Sequence, residues 1–184
     1  LMVGDHQVIN AATAVTICET LKYEYDFEIT KEDIYEGLGK AFWPGRLELL
    51  SKEPKVLIDG AHNVDGAKAL TKALSLFSRR RLIMCLGMLG DKEREKVVDL
   101  LVPLAHEVIV TKPNSPRAEG WEVIADMIRE KGKPVTLIEE PSQAVKEGLA
   151  RLEMEDMLCV TGSLYMIADA REALLELLGK PLRR

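Results

Sequence analysis

The sequence predicts an α/β fold, a doubly wound and mostly parallel sheet with helices on both faces, preceded by a short helical extension. Three observations predict it. Short apolar runs recur from residue 56 onward, helical patterns fill the intervals between them, and polar motifs trail four of the runs. The runs are Val56 to Ile58, Leu82 to Leu86, Val108 to Thr111, Val135 to Ile138 and Met157 to Thr161. Helices are expected around Asp65 to Phe77, Glu93 to Leu101, Trp121 to Glu130, Ser142 to Leu152 and Tyr165 to Leu178. Arg46 to Leu50 alternates in character and predicts one more strand at the entrance of the domain.

Ahead of this pattern, Asp5 is placed to cap a long, packed helix whose apolar positions Val8, Ile9, Ala12, Val15 and Leu21 recur at helical spacing. Thr30 followed by Asp33 is a capping signal for a second, short helix ending near Gly37 and Gly39. Pro44-Gly45, in the loop Phe42-Trp43-Pro44-Gly45-Arg46, breaks the pattern and is a candidate hinge or linker. The expected division is therefore residues 1–45 as the extension and residues 46–184 as the α/β domain.

The bulk properties narrow the function. A chain of 184 residues can bury one good core and carry a small appendage. With 47% hydrophobic and 30% charged residues and a net charge of -5, it is poorly suited to nonspecific nucleic-acid binding, and Arg79-Arg80-Arg81 reads as a solvated turn. No apolar run approaches the ~20 residues of a membrane span, and the N-terminus lacks a basic region followed by an apolar core, so a cytoplasmic protein is expected. Leu1 leads into Asp5-His6-Gln7 without an initiator Met or a leader, which predicts a piece of something longer. Cys18, Cys85 and Cys159 are odd in number and embedded in apolar sequence, hence expected to be buried thiols. His6, His62 and His106 lack zinc-site spacing, so any metal is expected to arrive with a nucleotide.

The chemistry concentrates in Asp59-Gly60-Ala61-His62-Asn63, between an apolar run and a helical pattern. In an open α/β sheet such a turn lies at the carboxyl edge, where ligands bind, and the helix N-terminus after it favours an anion. Asp59, Gly87, Thr111 and Thr161 are all expected at strand carboxyl ends, which brings their trailing motifs to one edge. Arg46 offers a planar fork for phosphate, Lys92 a point charge for a carboxylate, and Ser163 a hydroxyl at a helix N-terminus. Plainer readings stand beside these. The Asp59 motif can be a turn with an N-capping Asn63, Lys92 a solvated lysine at a helix start, and Asn10 a buried amide that satisfies a backbone group. His106 reads as a surface or packing residue, and Arg117 as a loop brace as readily as a site residue.

Taken in order, His6-Gln7…Asn10-Ala11, Trp43-Pro44-Gly45-Arg46…Glu48, Asp59-Gly60-Ala61-His62-Asn63, Asp91-Lys92, Pro116-Arg117-Ala118 and Thr161-Gly162-Ser163-Leu164-Tyr165 resemble the folylpolyglutamate synthase/dihydrofolate synthase family of the Mur ligase superfamily. The resemblance runs through the whole chain and matches the C-terminal portion of the family, with its Rossmann-like domain. It implies an ATP-dependent carbon-nitrogen ligase that adds L-glutamate to dihydropteroate, a reduced folate or both, through an acyl phosphate. By the same resemblance Asn10 contacts adenine, Asp59 holds the ribose, Arg46 reaches the terminal phosphates and His62 lies near them. Lys92, Ser163 and Tyr165 match the pocket for the incoming amino acid, with Arg46, His62 and Lys92 as the candidate catalytic residues.

Two positions depart from the family pattern, Val64 in place of Pro and Glu93 in place of Asp. No G-x-x-x-x-G-K-[ST] run is present. The resemblance therefore assigns the triphosphate cradle and the magnesium ligands to the family's N-terminal ATP-binding domain, whose trailing helices residues 1–45 would be. The chain alone is expected not to turn over, and a monomer is expected. Two alternatives stay open: a cell-wall amino-acid ligase of the Mur type, and a noncatalytic flavodoxin-like module that binds a small anion or a partner.

Overall fold

A computed structural model describes residues 4–182, the side chains of Asp5 and His6 excepted. The described residues divide into two compact units, the first ending at Pro44 and the second beginning at Gly45.

The first unit holds α1 (Asp5–Glu24) and α2 (Lys31–Lys40). Leu1 and the Asp5 side chain lie outside the described residues. The helix begins at Asp5 itself, which moves the cap position to Gly4. α2 starts with the expected capping box: Thr30 Oγ1 accepts from the Asp33 N–H at 3.1 Å, and Asp33 accepts from the Thr30 N–H at 2.8 Å. It runs on through Gly37 and Gly39 to Lys40, since an isolated helical glycine costs only about 1 kcal/mol. The expected packing of α1 is not found. Val8 and Ile9 are 70% and 69% exposed, α2 buries no residue, and Cys18 is only half-buried rather than a buried thiol.

The second unit is a six-stranded sheet in the order β1-β2-β6-β3-β4-β5. Its strands are β1 (Glu48–Lys52), β2 (Lys55–Ile58), β3 (Leu82–Leu86), β4 (Glu107–Val110), β5 (Val135–Leu137) and β6 (Met157–Thr161). β1 is antiparallel to β2, and every other pairing is parallel. The helices are α3 (Val64–Leu74), α4 (Arg94–Leu101), α5 (Val123–Glu130), α6 (Pro141–Ala150) and α7 (Leu164–Leu177). Expected and observed elements differ at their ends. β1 starts at Glu48 rather than Arg46, because the residues before it form a turn with left-handed backbone at Gly45 and Leu47. Trp121 and Glu122 form the approach to α5 instead of its first turn.

Every residue of β3 and β6 is buried, the pattern of strands covered on both faces. Val56, Ile58, Ile83, Cys85, Ile109, Leu158 and Val160 point to one face, where Ala144 and Val145 of α6 and Met166, Ile167, Ala170 and Leu174 of α7 pack on them. α3, α4 and α5 run side by side and bury Leu70, Val98 and Ile124 against the other face. Burial pushes the Cys85 thiol up to about 12 and raises Cys159 as well, so neither is a nucleophile.

At the amino edge, the Asp156 carboxylate is fully buried just before β6. It accepts from Arg81 Nη2 at 2.6 Å, Arg80 Nε at 3.1 Å and the Glu153 N–H at 3.0 Å. Hydrogen bonding by Arg81, and then by Arg80, holds it well below the usual carboxylate range. The three-arginine run is therefore not a solvated turn. Arg80 and Arg81 close the sheet on Asp156, and Arg79 donates to the Phe77 carbonyl at 3.0 Å. His106 packs at the same edge, accepting the Leu82 N–H at 3.0 Å through Nδ1. Among the described residues no helix is long and apolar enough to cross a membrane.

Candidate active site

The chain passes from β2 through α3 to β3 and leaves a gap that β6 fills last. The direction of winding changes there, and at such a point an open α/β sheet forms its ligand crevice, outside the strand carboxyl ends. Asp59 follows β2, Thr161 ends β6, Gly87 follows β3 and Thr111 follows β4. In the order β2-β6-β3-β4 the trailing motifs stand side by side.

Asp59 is 7% exposed, and its carboxylate stitches two turns together. Oδ1 accepts from the Ala61 N–H at 2.9 Å, and Oδ2 accepts from the Leu47 N–H at 2.9 Å. Gly60 N–H donates to the Gly45 carbonyl at 2.8 Å. Between these anchors lies Arg46, half-buried and without a side-chain partner among the described residues. His62 Nδ1 lies 2.9 Å from the Gly60 carbonyl, so Nδ1–H donates there and Nε2 takes no part in that bond. Asn63 does what the plainer reading asked of it: its Oδ1 accepts from the Gly66 N–H at 2.8 Å and caps α3.

The loop after β3 carries Lys92, half-buried beside Asp91. Asp91 pairs with Arg117, which lowers the carboxyl and raises the guanidinium, and Tyr165 raises Arg117 further. Arg117 is thus a brace, and Gly90 N–H is tied to its carbonyl at 2.7 Å. Arg94, which the sequence reading passed over, clamps two loops. Its guanidinium donates to the carbonyls of Leu89 at 3.0 Å, Met88 at 3.1 Å, Gly120 at 2.7 Å and Glu119 at 3.1 Å. A cation as the first residue of a helix opposes the helix dipole, and that misplacement was the available signal.

Ser163 is 1% exposed, and its hydroxyl accepts from the Tyr165 N–H at 3.2 Å to cap α7. Tyr165 itself is half exposed. Gly162, with φ of 112°, lies against β3: a Cβ there would fall 2.4 Å from the Gly87 carbonyl oxygen. The loop after β4 and the loop after β5 flank this edge with a polar cavity of about 460 Å³, between Lys112, Asn114, Glu139 and Asp169.

Asn10 belongs to the first unit. It is exposed rather than buried, donates to Gln7 Oε1 at 3.1 Å, and lines a cavity of about 420 Å³ with Val8, Ala11, Ala14 and Leu38. Among the described residues no three His, Cys, Asp or Glu side chains gather to hold a metal ion.

Fold and site together define an α/β domain whose anion-friendly turns converge on the carboxyl edge of a parallel sheet. A family model described as "Mur ligase, glutamate ligase domain" matches residues 45–164, and the chain belongs to that family. It is 32% identical over 174 residues to the dihydrofolate synthase/folylpolyglutamate synthase of Bacillus subtilis, covering 94% of this chain and 40% of that protein. The crystal structure of a Thermotoga maritima folylpolyglutamate synthase superposes with a TM-score of 0.76 at 33% identity, covering 97% of this chain and 40% of that one. Escherichia coli FolC in complex with DHPP and ADP gives a TM-score of 0.80 at 25% identity, covering 92% and 39%. The chain spans about two fifths of the length of these relatives, where 40% is covered. The resemblance carried by the six motifs is confirmed, as is the doubly wound fold.

Proposed function

We propose that this chain is the glutamate ligase portion of a cytoplasmic, monomeric, ATP-dependent ligase that adds L-glutamate to dihydropteroate or a reduced folate through an acyl phosphate. The observation that supports the proposal is the placing of Asp59, His62, Tyr165 and Lys92 after the adjacent strands β2, β6 and β3, with Arg46 in the turn that Asp59 ties to β1, in a member of the glutamate ligase family. Relatives named for this activity, one of them solved with ADP and DHPP, support the folate branch over a cell-wall ligase or a noncatalytic module.

In this reading ATP supplies the phosphoryl group that activates the acceptor carboxylate. Arg46 aims a fixed cation at the charge that develops on the terminal phosphates, and His62 presents Nε2 beside it. Asp59 holds the ribose, a role supported by its place next to Arg46, although its two oxygens already accept backbone N–H groups. Asn10 contacts adenine, supported by its exposed amide and the largely apolar cavity it lines. Lys92 pairs with a carboxylate of the incoming glutamate, and Tyr165 borders that pocket. Ser163 contributes chiefly by holding the N-terminus of α7, since its hydroxyl is buried in the cap. The magnesium ligands and the triphosphate cradle belong to an N-terminal ATP-binding domain. The bare apolar positions Val8, Ile9 and Ile17 on α1 support residues 1–45 as its trailing helices.

ADP release by the complete protein tests the proposal, with L-glutamate and either dihydropteroate or tetrahydrofolate, beside Asp59→Ala. Release that needs both glutamate and a pterin and is lost in the variant is expected, and names the acceptor. No release with either pterin would return the cell-wall and noncatalytic readings. The 184-residue chain alone is expected to show no glutamate-dependent ATP hydrolysis, and detecting it would refute the assignment of the triphosphate cradle elsewhere.

A further inference from the structure

We propose that Glu48 and Arg171 are positioning residues for Arg46, registered by one face of α7; the inference rests on the role given to Arg46 above. Arg46 lies between two left-handed residues, Gly45 with φ of 69° and Leu47 with φ of 45°. A leucine holds such a backbone only where its surroundings over-determine it. Glu48 Oε2 accepts from the Gly45 N–H at 2.8 Å, the Gly45 carbonyl accepts from the Gly60 N–H at 2.8 Å, and Asp59 accepts from the Leu47 N–H at 2.9 Å. The backbone is thus fixed on both sides of Arg46, while its own side chain has no partner among the described residues.

Arg171 fixes Glu48. Its Nε donates to Oε2 at 2.8 Å and its Nη2 to Oε1 at 2.9 Å, a two-point fork that sets direction as well as distance. Both side chains are 9% exposed. Net stability is a weak reason for such a pair, because apolar residues of equal volume commonly serve a core as well or better. Geometry is the stronger reason. Leu164, Ile167 and Arg171 recur at i, i+3 and i+7 on one stripe of α7. A Cβ at Gly60 would fall 2.3 Å from Leu164 Cδ2, and one at Gly45 would fall 2.5 Å from Ile167 Cγ2. The same stripe therefore supports the Asp59 turn, the Gly45 turn and, through Arg171, Glu48. Because α7 is also capped by Ser163, beside the proposed amino-acid pocket, one rigid helix registers Arg46 against that pocket.

The test is steady-state ligation by the complete protein in four variants. Glu48→Met with Arg171→Met removes both charges and the acceptor for Gly45 N–H. Glu48→Gln with Arg171→Met removes the charges but keeps an amide oxygen for that N–H. The expected result is a kcat lower by about ten- to a hundredfold in the first, the order that misplacing a catalytic group by an ångström costs. KM for glutamate is expected to hold within about twofold, with most of kcat recovered in the second variant. Should the first variant fail to fold, Arg171→Lys, which keeps the charge and loses the fork, decides by the same readout with an intermediate fall. Arg46→Ala separates the two layers. Full kcat in the brace variants with kcat lost in Arg46→Ala overturns the positioning role alone. Full kcat in Arg46→Ala overturns the reading of Arg46, and this inference with it.

Discussion

Both edges of the central sheet carry a buried carboxylate, and the two are treated differently. At the amino edge Asp156 takes two guanidinium groups and a backbone N–H, and the same two cations also hold Glu153 and the Arg151 carbonyl, so both are committed to the fold. At the carboxyl edge Asp59 accepts backbone N–H groups from Leu47 and Ala61, while Arg46, next to Leu47, is held by its backbone alone. The amino edge uses its arginines to close the fold. The carboxyl edge pins the backbone around a cation and leaves the cation available, which suits the phosphate-facing role proposed for Arg46.

The sharpest way to break this contrast is to exchange effects between the edges. Arg46→Ala is expected to lower kcat for glutamate-dependent ADP release by roughly 100- to 1000-fold, the scale of losing one fixed group at a developing charge, with Tm almost unchanged. Asp156→Ala is expected to do the reverse. It leaves kcat per folded molecule intact and destabilises the protein by roughly 2 kcal/mol, less than a fully buried pair because the arginines are partly in water. That corresponds to a fall in Tm of about 4–8 °C by calorimetry. A large loss of kcat in Asp156→Ala at a temperature where it is folded would dissolve the division between the edges.

Acid sharpens the comparison. The folded-state pKa of Asp156 is depressed below the ordinary 3.8, so its contribution is fully present above that value and is lost as pH falls through and below it. In urea titrations, the stability gap between wild type and Asp156→Asn is expected to be constant from about pH 7 to pH 5 and to narrow below about pH 4. The smallest effect belongs to Asn63→Ala, which removes the cap of α3 at a cost of about 1 kcal/mol. Its kcat is expected to stay within about twofold, since the amide serves the helix. A greater fall in kcat would make Asn63 a site residue.

Much of the fold was legible because its signals are local. Buried parallel strands such as Leu82–Leu86 and Met157–Thr161 are continuous apolar runs, and the Thr30 and Asp33 pair announces its helix within four residues of chain. Reading failed where the deciding partner is remote in sequence. The arginines of residues 79–81 looked solvated because Asp156 lies 75 residues beyond Arg81. Arg94 escaped notice because the carbonyls of Glu119 and Gly120 come from another loop. The packing expected of α1 failed in the opposite sense, since its apolar spacing is real but the described residues do not cover it.

The sequence by itself determined the alternation of strands and helices, the placing of Asp59, Lys92 and Tyr165 at element ends, and the family resemblance, all properties of residue type and spacing. Only the tertiary structure decided that the last strand enters between β2 and β3, which makes neighbours of turns far apart in the chain, as where the Thr161 hydroxyl reaches the Ala61 carbonyl 100 residues away. It also decided that Arg171, 123 residues from Glu48, closes the turn around Arg46. Spacing along a chain fixes which way a side chain faces on its own element, whereas the partner it meets is fixed by the order in which the strands are wound.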